Sequence, residues 1–199
     1  MSIEIIDNGH DNKVEISHDV LMRGDGRIVM SGNNNQIRIL DTNYRFGGYL
    51  SFDGGAIFFA GENVNASQIF FHGTSGSRVK IGNRCSFNGQ IRFLLHEAKE
   101  IKIGDDCLFA SDVDVTISDM HSILDKDTGK RINDAKSIRI GNKVWVGERC
   151  ILLKGSEVDD GSIIGAGSVL SKKIPKNCVA AGNPVKIIRT NVIWDHRLL

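Results

Sequence analysis

Two residues in the second half of the chain have side chains suited to chemistry at a hydroxyl group. His121 lies in a polar segment, and Trp145 follows it by 24 residues. An imidazole can take a proton from a hydroxyl near neutral pH, and an indole offers a flat apolar face with one N–H donor. A lone histidine more often caps a turn or faces water, so its surroundings decide whether it acts as a base.

Three aspartates, Asp112, Asp114 and Asp119, lie close to His121 in sequence. One of them could orient the imidazole, as in a catalytic triad, or all three could be turn residues of a solvated loop. No GxSxG motif occurs, so the sequence favours direct transfer between substrates over a covalent enzyme intermediate. The four cysteines form no CxxC pair, and we expect small buried side chains rather than a metal site.

A six-residue repeat organises the second half of the chain. Aliphatic residues recur at this step at Ile140, Val146, Leu152, Val158, Ile164 and Leu170. A smaller or β-branched residue follows each after four positions, at Val144, Cys150, Ser156, Ser162, Ser168 and Ile174. The step of six also occurs upstream at Ile81, Phe87 and Phe93, at Ile103, Phe109 and Val115, and at Phe58, Val64 and Phe70.

This step fits short strands and excludes a helical stripe. Six residues advance an α-helix by about 600°, so successive aliphatic side chains would drift around its axis. Six residues can instead form one strand and a corner, and three such units close a triangular coil of about 18 residues, with parallel neighbours about 4.8 Å away. One coil cannot bury its inner face alone, whereas a stack can. The sequence therefore predicts an all-β fold of stacked parallel coils.

The repeat indicates a single domain over residues 1–199 with three parts. We expect irregular coils over 1–78, regular coils over 79–175 and a tail over 176–199. A short insertion is expected around 94–99. A longer loop over 118–137, with four acids and four bases but no repeat, should project from the stack. Helical signals are poor except in the last ten residues.

Composition excludes several classes of protein. Twenty-five basic against 24 acidic residues give a net charge of +1, whereas a dedicated nucleic-acid binder would show a basic excess. No apolar run approaches the roughly 18–20 residues that span a membrane. The amino terminus lacks the basic start and apolar core of a secretion signal. We therefore expect a cytoplasmic protein that binds neither nucleic acid nor membrane.

The carboxyl-terminal third resembles the hexapeptide-repeat acyltransferases. The residues that carry the resemblance are Ile140–Gly147 (IGNKVWVG), Ile164–Val169 (IGAGSV), Ile174–Pro175, Ala180–Pro184 (AAGNP) and Ile188–Arg189. It covers residues 79–190 well and the first 75 weakly. The pairing of His121 with Trp145 is similar to that of bacterial capsule polysialic acid O-acetyltransferases. The resemblance implies a left-handed parallel β-helix with a projecting active-site loop, assembled as a homotrimer with active sites between subunits.

The resemblance also implies roles for individual residues. His121 would be the general base, and Trp145 would lie beside the acceptor sugar, although a core or interface tryptophan is the alternative. The main-chain N–H of Glu148, just after Gly147, would stabilise the negative charge on the thioester oxygen. A main-chain donor tolerates any side chain, so the unusual glutamate is acceptable there.

Acetyl-coenzyme A is the implied co-substrate. Its pantetheine arm suits a narrow groove beside Gly147, where small residues such as Ala166 and Ser168 permit close approach. Its phosphates need cations, and residues 161–194 contain no acid. The bases of this stretch are Lys172, Lys173, Lys176, Lys186 and Arg189. Ser171 with Lys172, Lys186 and Arg189 is the expected phosphate site, and a solubilising basic edge is the alternative.

A second acid-free stretch over 63–96 indicates the acceptor. Its bases are Arg78, Lys80, Arg84 and Arg92. Arg78 and Arg84 could guide an anionic bacterial glycan such as a sialic-acid polymer, but a solvated face fits equally well. Three alternatives stay open: a small sugar or amine acceptor, a non-catalytic glycan-binding trimer, and a zinc enzyme using His72, His96 and His121. The last lacks the close histidine pair of β-helix carbonic anhydrases.

Overall fold

The computed structural model describes residues 2–199, which form 21 β-strands and one helix. The elements before residue 118 are β1 (Ile3–Asp7), β2 (Lys13–Ile16), α1 (His18–Arg23), β3 (Asp25–Ser31), β4 (Gln36–Ile39), β5 (Phe46–Asp53), β6 (Ile57–Ala60), β7 (Asn65–Thr74), β8 (Arg78–Ile81), β9 (Ser86–Leu95), β10 (Glu100–Ile103), β11 (Leu108–Phe109) and β12 (Val113–Thr116). The later ones are β13 (Ile138–Ile140), β14 (Trp145–Val146), β15 (Ile151–Leu152), β16 (Glu157–Val158), β17 (Ile163–Ile164), β18 (Val169–Leu170), β19 (Lys173–Ile174), β20 (Val179–Ala181) and β21 (Lys186–Arg189).

One side of the stack is an eight-stranded parallel sheet in the order β19-β16-β13-β10-β8-β6-β4-β2. Its outward positions are mostly charged, as in Arg78 and Lys80 on β8, and we call this side the charged face. The sheet continues across the predicted loop, because Ile103 of β10 pairs directly with Ile140 of β13. The insertion therefore leaves the stack unbroken.

A second sheet covers the other two sides by bending at a corner. Strand β9 pairs with β11 through its first residues and with β12 through its last ones. The side formed by β11, β14, β17 and β20 is the tryptophan face. The side formed by β12, β15 and β18 is the loop face, since the segment 118–137 follows β12. Three faces enclose one core, and the predicted parallel β-helix is confirmed.

The core consists of columns of equivalent residues, one from each coil. Every aliphatic residue predicted at the six-residue step between 140 and 170 is at most 2 % exposed, and every small residue four positions later is fully buried. The serines at these positions donate their hydroxyls to carbonyl oxygens, as Ser162 does to Pro175 at 2.7 Å. All four cysteines are buried. A hydrogen bond with Cys85, and secondarily burial, raise the pKa of the Cys107 thiol.

The amino-terminal coils are more regular than expected, and one core assignment there is wrong. Strands β3 and β5 pair in register over seven residues. Phe58 and Val64 are buried as predicted, but Phe71 fills the core and Phe70 points outward to stack on Tyr49 at 5.8 Å between ring centroids. These coils are wider, because Ile103 pairs with Ile81, 22 positions earlier. A fixed step of six therefore points to the residue one position before the one that is buried.

Two further expectations need correction. The only helix in residues 2–199 is α1, capped by the Ser17 hydroxyl, and the last ten residues contain none. The insertion expected around 94–99 is shorter, because Leu94 and Leu95 still belong to β9. The tail instead pairs β21 with β20 in an antiparallel hairpin. No helix in the described residues is long and apolar enough to cross a membrane.

The neighbouring phenylalanines test the corrected register. Phe71→Ala should lower the free energy of unfolding by about 3–5 kcal/mol, because it leaves a cavity in the core. Phe70→Ala removes an outward ring and should cost at most about 1.5 kcal/mol. Urea unfolding of the two variants measures the difference. Equal losses, or a larger loss for Phe70→Ala, would contradict the assignment.

Candidate active site

The segment 118–137 projects from the loop face as a short hairpin. Its ends meet where the Lys136 N–H donates to the Ile117 carbonyl oxygen at 3.1 Å. Further out, the Asp125 N–H donates to the Lys130 carbonyl oxygen at 2.8 Å. The predicted projecting loop is therefore confirmed, and its main chain is held by hydrogen bonds of its own.

His121 is held in this hairpin through its main chain. Its N–H donates to the Asp119 carbonyl oxygen at 2.7 Å, and its carbonyl oxygen accepts from the Asn133 amide at 2.8 Å. Met120 before it has φ of +63°, a conformation that non-glycine residues adopt at a cost. The imidazole itself is exposed and has no hydrogen-bond partner among residues 2–199. The backbone thus fixes the residue while the ring stays available.

A half-buried ion pair between Arg131 and Glu97 connects the hairpin to the stack. The Arg131 guanidinium donates two hydrogen bonds to the Glu97 carboxylate, at 2.7 and 2.8 Å. The Ser118 hydroxyl donates to the same carboxylate at 2.5 Å. These hydrogen bonds, with that from Arg131 dominant, lower the pKa of Glu97 to about 2. The loop is therefore anchored by the Glu97 carboxylate, a residue that no sequence motif singles out.

The three nearby aspartates are engaged elsewhere or lie apart from the ring. The Asp119 carboxylate accepts from Lys154 and, at 2.8 Å, from Asn133, and the hydrogen bond from Lys154 is the main cause of its lowered pKa. Asp114 pairs with Arg92. Asp112 is exposed. No aspartate in the described residues bonds the His121 ring, so an aspartate orienter gains no support.

Trp145 projects from the tryptophan face. It is 39 % exposed, and its ring packs against Trp194 of the tail at 6.0 Å between centroids. His121 leaves the stack from the loop face, and the two rings make no contact within residues 2–199. One copy of the chain therefore keeps the two predicted site residues on different sides of the prism.

The turn after Trp145 is shaped by close contact with the next coil. A Cβ added at Gly147 would lie 2.6 Å from the main-chain nitrogen of Ala166, so only glycine fits. The Glu148 carbonyl oxygen accepts from the Gly167 N–H at 2.7 Å. The Glu148 N–H has no acceptor within the described chain. The turn thus presents one free main-chain donor beside exposed Ala166.

Ser168 does not offer its side chain to this surface. The residue is fully buried, and its hydroxyl donates to the Gly165 carbonyl oxygen at 2.5 Å while accepting from the Gly182 N–H at 3.0 Å. Any contact with a ligand would have to come from its main chain. Ser171, by contrast, is exposed next to Lys172.

The acid-free carboxyl-terminal stretch keeps most of its positive charge. Lys173 pairs with Glu157 at 3.6 Å and with Asp159 at 3.2 Å, so it is compensated by the preceding coil. The other cations of this stretch have no acidic partner within 4 Å in residues 2–199. They are Lys172, Lys176, Lys186 and Arg189. The three predicted phosphate cations, Lys172, Lys186 and Arg189, are therefore among the free ones.

The stretch 63–96 differs, because most of its cations are compensated by acids one coil further on. Arg84 donates two hydrogen bonds to Asp106, at 2.7 and 2.8 Å, and thereby lowers the pKa of Asp106. Lys80 pairs with Glu100 at 2.9 Å. Arg78 alone of the four has no acidic partner within 4 Å in the described chain. These ion pairs favour the alternative of a solvated face at Lys80, Arg84 and Arg92.

Two of the three histidines considered as zinc ligands, His72 and His96, lie next to each other. His72 and His96 lie on consecutive coils with ring centroids 5.0 Å apart. Burial, and secondarily the charge of His72, lower the pKa of His96. His121 is not part of this pair. Within residues 2–199 no group of three or more His, Cys, Asp or Glu side chains could hold a metal ion.

Comparison with known proteins identifies the family. The bacterial transferase hexapeptide pattern of six repeats matches residues 137–172. A polysialic acid O-acetyltransferase of Neisseria meningitidis is 30 % identical over 199 residues, covering 96 % of this chain and 89 % of its own. Fold, repeat and relatives together define the class, and the chain belongs to the hexapeptide-repeat O-acetyltransferases.

The relatives within this family include polysialic acid O-acetyltransferases and a galactoside acetyltransferase. The solved polySia-specific acetyltransferase NeuO superposes with a TM-score of 0.87 at 34 % identity, covering 98 % of this chain and 90 % of its own. A polysialic acid O-acetyltransferase of Escherichia coli O1:K1 is 39 % identical over 121 residues, which is 61 % of this chain and only 39 % of that protein's length. A galactoside acetyltransferase in complex with coenzyme A gives a TM-score of 0.52 at 31 % identity, covering 68 % of this chain and 66 % of its own.

The anchor of the hairpin can be tested with two glutamates on neighbouring positions. Glu97→Gln should speed amide hydrogen exchange over 118–137 at pH 7, because it removes the charge that Arg131 binds. Glu100→Gln breaks only the pair with Lys80 on the charged face and should leave these amides unchanged. Equal exchange in both variants would contradict the anchoring role.

The pH dependence of the same anchor follows from the lowered pKa of Glu97. The stabilisation is fully present above the ordinary carboxyl value of 4.5 and is lost as the pH falls through about 2.

Proposed function

We propose that the protein is an acetyl-coenzyme A-dependent O-acetyltransferase that modifies a sugar hydroxyl, with His121 as general base. The observation that carries the proposal is the exposed imidazole of His121. The main-chain N–H and carbonyl oxygen of the same residue are both hydrogen-bonded within the hairpin. Such an imidazole can contact a substrate without first losing a hydrogen bond to the protein. We treat the chain as a single domain, because one sheet runs from β2 to β19.

In the proposed reaction His121 takes the proton of the acceptor hydroxyl while that oxygen attacks the thioester carbonyl carbon. The carbon–sulfur bond then breaks, and the protonated imidazole returns its proton to the leaving thiolate. The Glu148 N–H donates to the thioester oxygen as it gains negative charge. The absence of an acceptor for this N–H within residues 2–199 supports the assignment.

Binding of the co-substrate is assigned to the tryptophan-face end of the carboxyl-terminal coils. The turn at Gly147 and Ala166 leaves main-chain atoms exposed for the pantetheine arm, and Ser168 contributes through its main chain only. The phosphates are bound by Lys172, Lys186 and Arg189, with Ser171 beside them. Support comes from the lack of acidic partners for these cations and from the coenzyme A bound by the galactoside acetyltransferase.

We assign the active site to the boundary between two copies in a homotrimer. The charged face carries ion pairs suited to water, whereas the other two faces have partly exposed apolar residues, such as Ile163 on the tryptophan face and Ile151 on the loop face. Contact between these unlike faces generates a closed ring. The hairpin adds apolar side chains that are about half exposed in one copy, namely Met120, Ile123, Leu124 and Ile132.

The acceptor we propose is a sialic-acid polymer of a bacterial capsule, met in the cytoplasm. It rests on the two polysialic acid O-acetyltransferase relatives and on NeuO. Arg78, unlike Arg84, remains free to contact a carboxylate of the polymer. The galactoside acetyltransferase supports a small sugar as the second candidate. Product analysis with polysialic acid and with a galactoside separates them, since only the correct acceptor gives an O-acetyl ester.

The role of His121 has a direct kinetic test. His121→Ala should lower kcat at least about 100-fold, the low end for a positioned base, while acetyl-coenzyme A still binds. The exposed His10, far away in the first coil, provides the matched control, and His10→Ala should keep full turnover. Near-normal kcat in His121→Ala would refute the assignment.

The phosphate contacts have a built-in control in Lys173. Alanine at Lys172, Lys186 or Arg189 should raise KM for acetyl-coenzyme A more than it lowers kcat, because the phosphates lie far from the reacting carbon. Lys173→Ala should change KM little, since that lysine is already paired. With a thioester lacking the 3′-phosphate the three effects should shrink. Equal losses with both thioesters would argue against phosphate binding.

A further inference from the structure

The tail brings a second tryptophan against Trp145. Trp194 lies 49 residues further along the chain, and these two are its only tryptophans. Their ring centroids are 6.0 Å apart with planes tilted by 49°. Trp194 is 7 % exposed, whereas Trp145 is 39 % exposed. A buried indole therefore supports an exposed one on the same face.

Trp194 is itself fixed at several points. Its indole N–H donates to the Lys143 carbonyl oxygen at 2.8 Å, two residues before Trp145. The tail is clipped just upstream, where the Val192 N–H donates to the Asn177 carbonyl oxygen and the Asn177 amide donates back to Val192, both at 3.0 Å. His196 closes the far side with its ring 4.7 Å from that of Trp194.

Trp145 has no comparable anchor of its own. Its neighbours in the outward column, Leu108 and Ile163, are aliphatic, and its indole N–H finds no acceptor within residues 2–199. An exposed side chain with so few contacts samples several rotamers. Contact with Trp194 is the feature that selects one of them.

We propose that Trp194 is a positioning residue that holds Trp145 in the orientation used for acceptor binding. The proposal rests on the proposed function, with Trp145 lying beside the acceptor sugar as the family resemblance implies. If only a fraction of Trp145 rings is correctly oriented, the apparent affinity for the acceptor falls by that fraction. Loss of an aromatic contact of this kind corresponds to about 3- to 10-fold in an equilibrium constant. The acetyl-coenzyme A phosphates are assigned to cations such as Arg189, three strands away from Trp145, so their binding should change much less than acceptor binding.

A double-mutant cycle on the full-length protein tests this. Trp194→Leu should raise KM for the acceptor about 3- to 10-fold while KM for acetyl-coenzyme A stays within about twofold. In the Trp145→Ala background, the same change should have no further effect on acceptor KM, because the residue acts only through Trp145. Ile193→Ala, at an exposed neighbouring position, should behave as wild type.

A spectroscopic signature reports the contact without any activity. Two indoles at this separation and tilt couple excitonically, so wild type should give a circular-dichroism couplet that both Trp145→Phe and Trp194→Phe abolish. Trp194→Phe keeps an aromatic ring in the site and should restore part of the acceptor affinity lost in Trp194→Leu. If Trp194→Leu does not fold, the acceptor KM is measured with Trp194→Phe instead.

The outcomes separate the two hypotheses. If Trp145→Ala leaves acceptor KM unchanged, the acceptor role of Trp145 in the proposed function fails, and the positioning role fails with it. If Trp145→Ala raises KM but Trp194→Leu adds an equal further increase, only the positioning role is overturned. Absence of the couplet in wild type would likewise overturn it.

Discussion

The hydrogen bonding of each coil to the next is the constraint on which the rest of the structure depends. Parallel pairing puts every residue directly above its equivalent in the preceding coil, 16 to 23 residues earlier in regular coils. Like residues therefore stack in columns, and a charge finds its partner one coil away rather than nearby in sequence. Arg84 with Asp106 and Lys173 with Glu157 are examples. The same rule holds the corners, where Asn63, Arg84 and Asp106 each adopt positive φ.

This constraint also explains how a projecting loop can be added at little structural cost. Because Ile103 and Ile140 remain paired, Ile140 can lie 37 positions after Ile103 without a gap in the sheet. The loop is then free to carry exposed groups, provided that its base is anchored, which Glu97 and Arg131 do. Rigidity of the stack and exposure of His121 are thus compatible, and the stack keeps Trp145 on another face.

Regular features of the chain could be predicted from the sequence, and irregular ones could not. The six-residue step gave the core columns from Ile140 to Leu170 because inward positions there recur without error. It misassigned Phe70, since wider coils contain extra residues that shift the register. The absence of acids nearby in sequence indicated an unpaired cation correctly at Lys172 but not at Arg84. The partner of Arg84 is Asp106, which comes from the next coil and lies outside the acid-free stretch. The contact of Trp194 with Trp145 could not be predicted, because it follows no regular spacing in the sequence.

In the proposed homotrimer two copies complete each active site, because His121 and Trp145 leave the prism on different faces. Co-assembly of His121→Ala chains with Trp145→Ala chains, assayed at limiting acceptor, tests this most directly. If each site takes His121 from one copy and Trp145 from the next, random assembly restores about a quarter of wild-type activity, because one boundary in four has both residues intact. Activity no greater than that of the two variants assayed separately would contradict the claim.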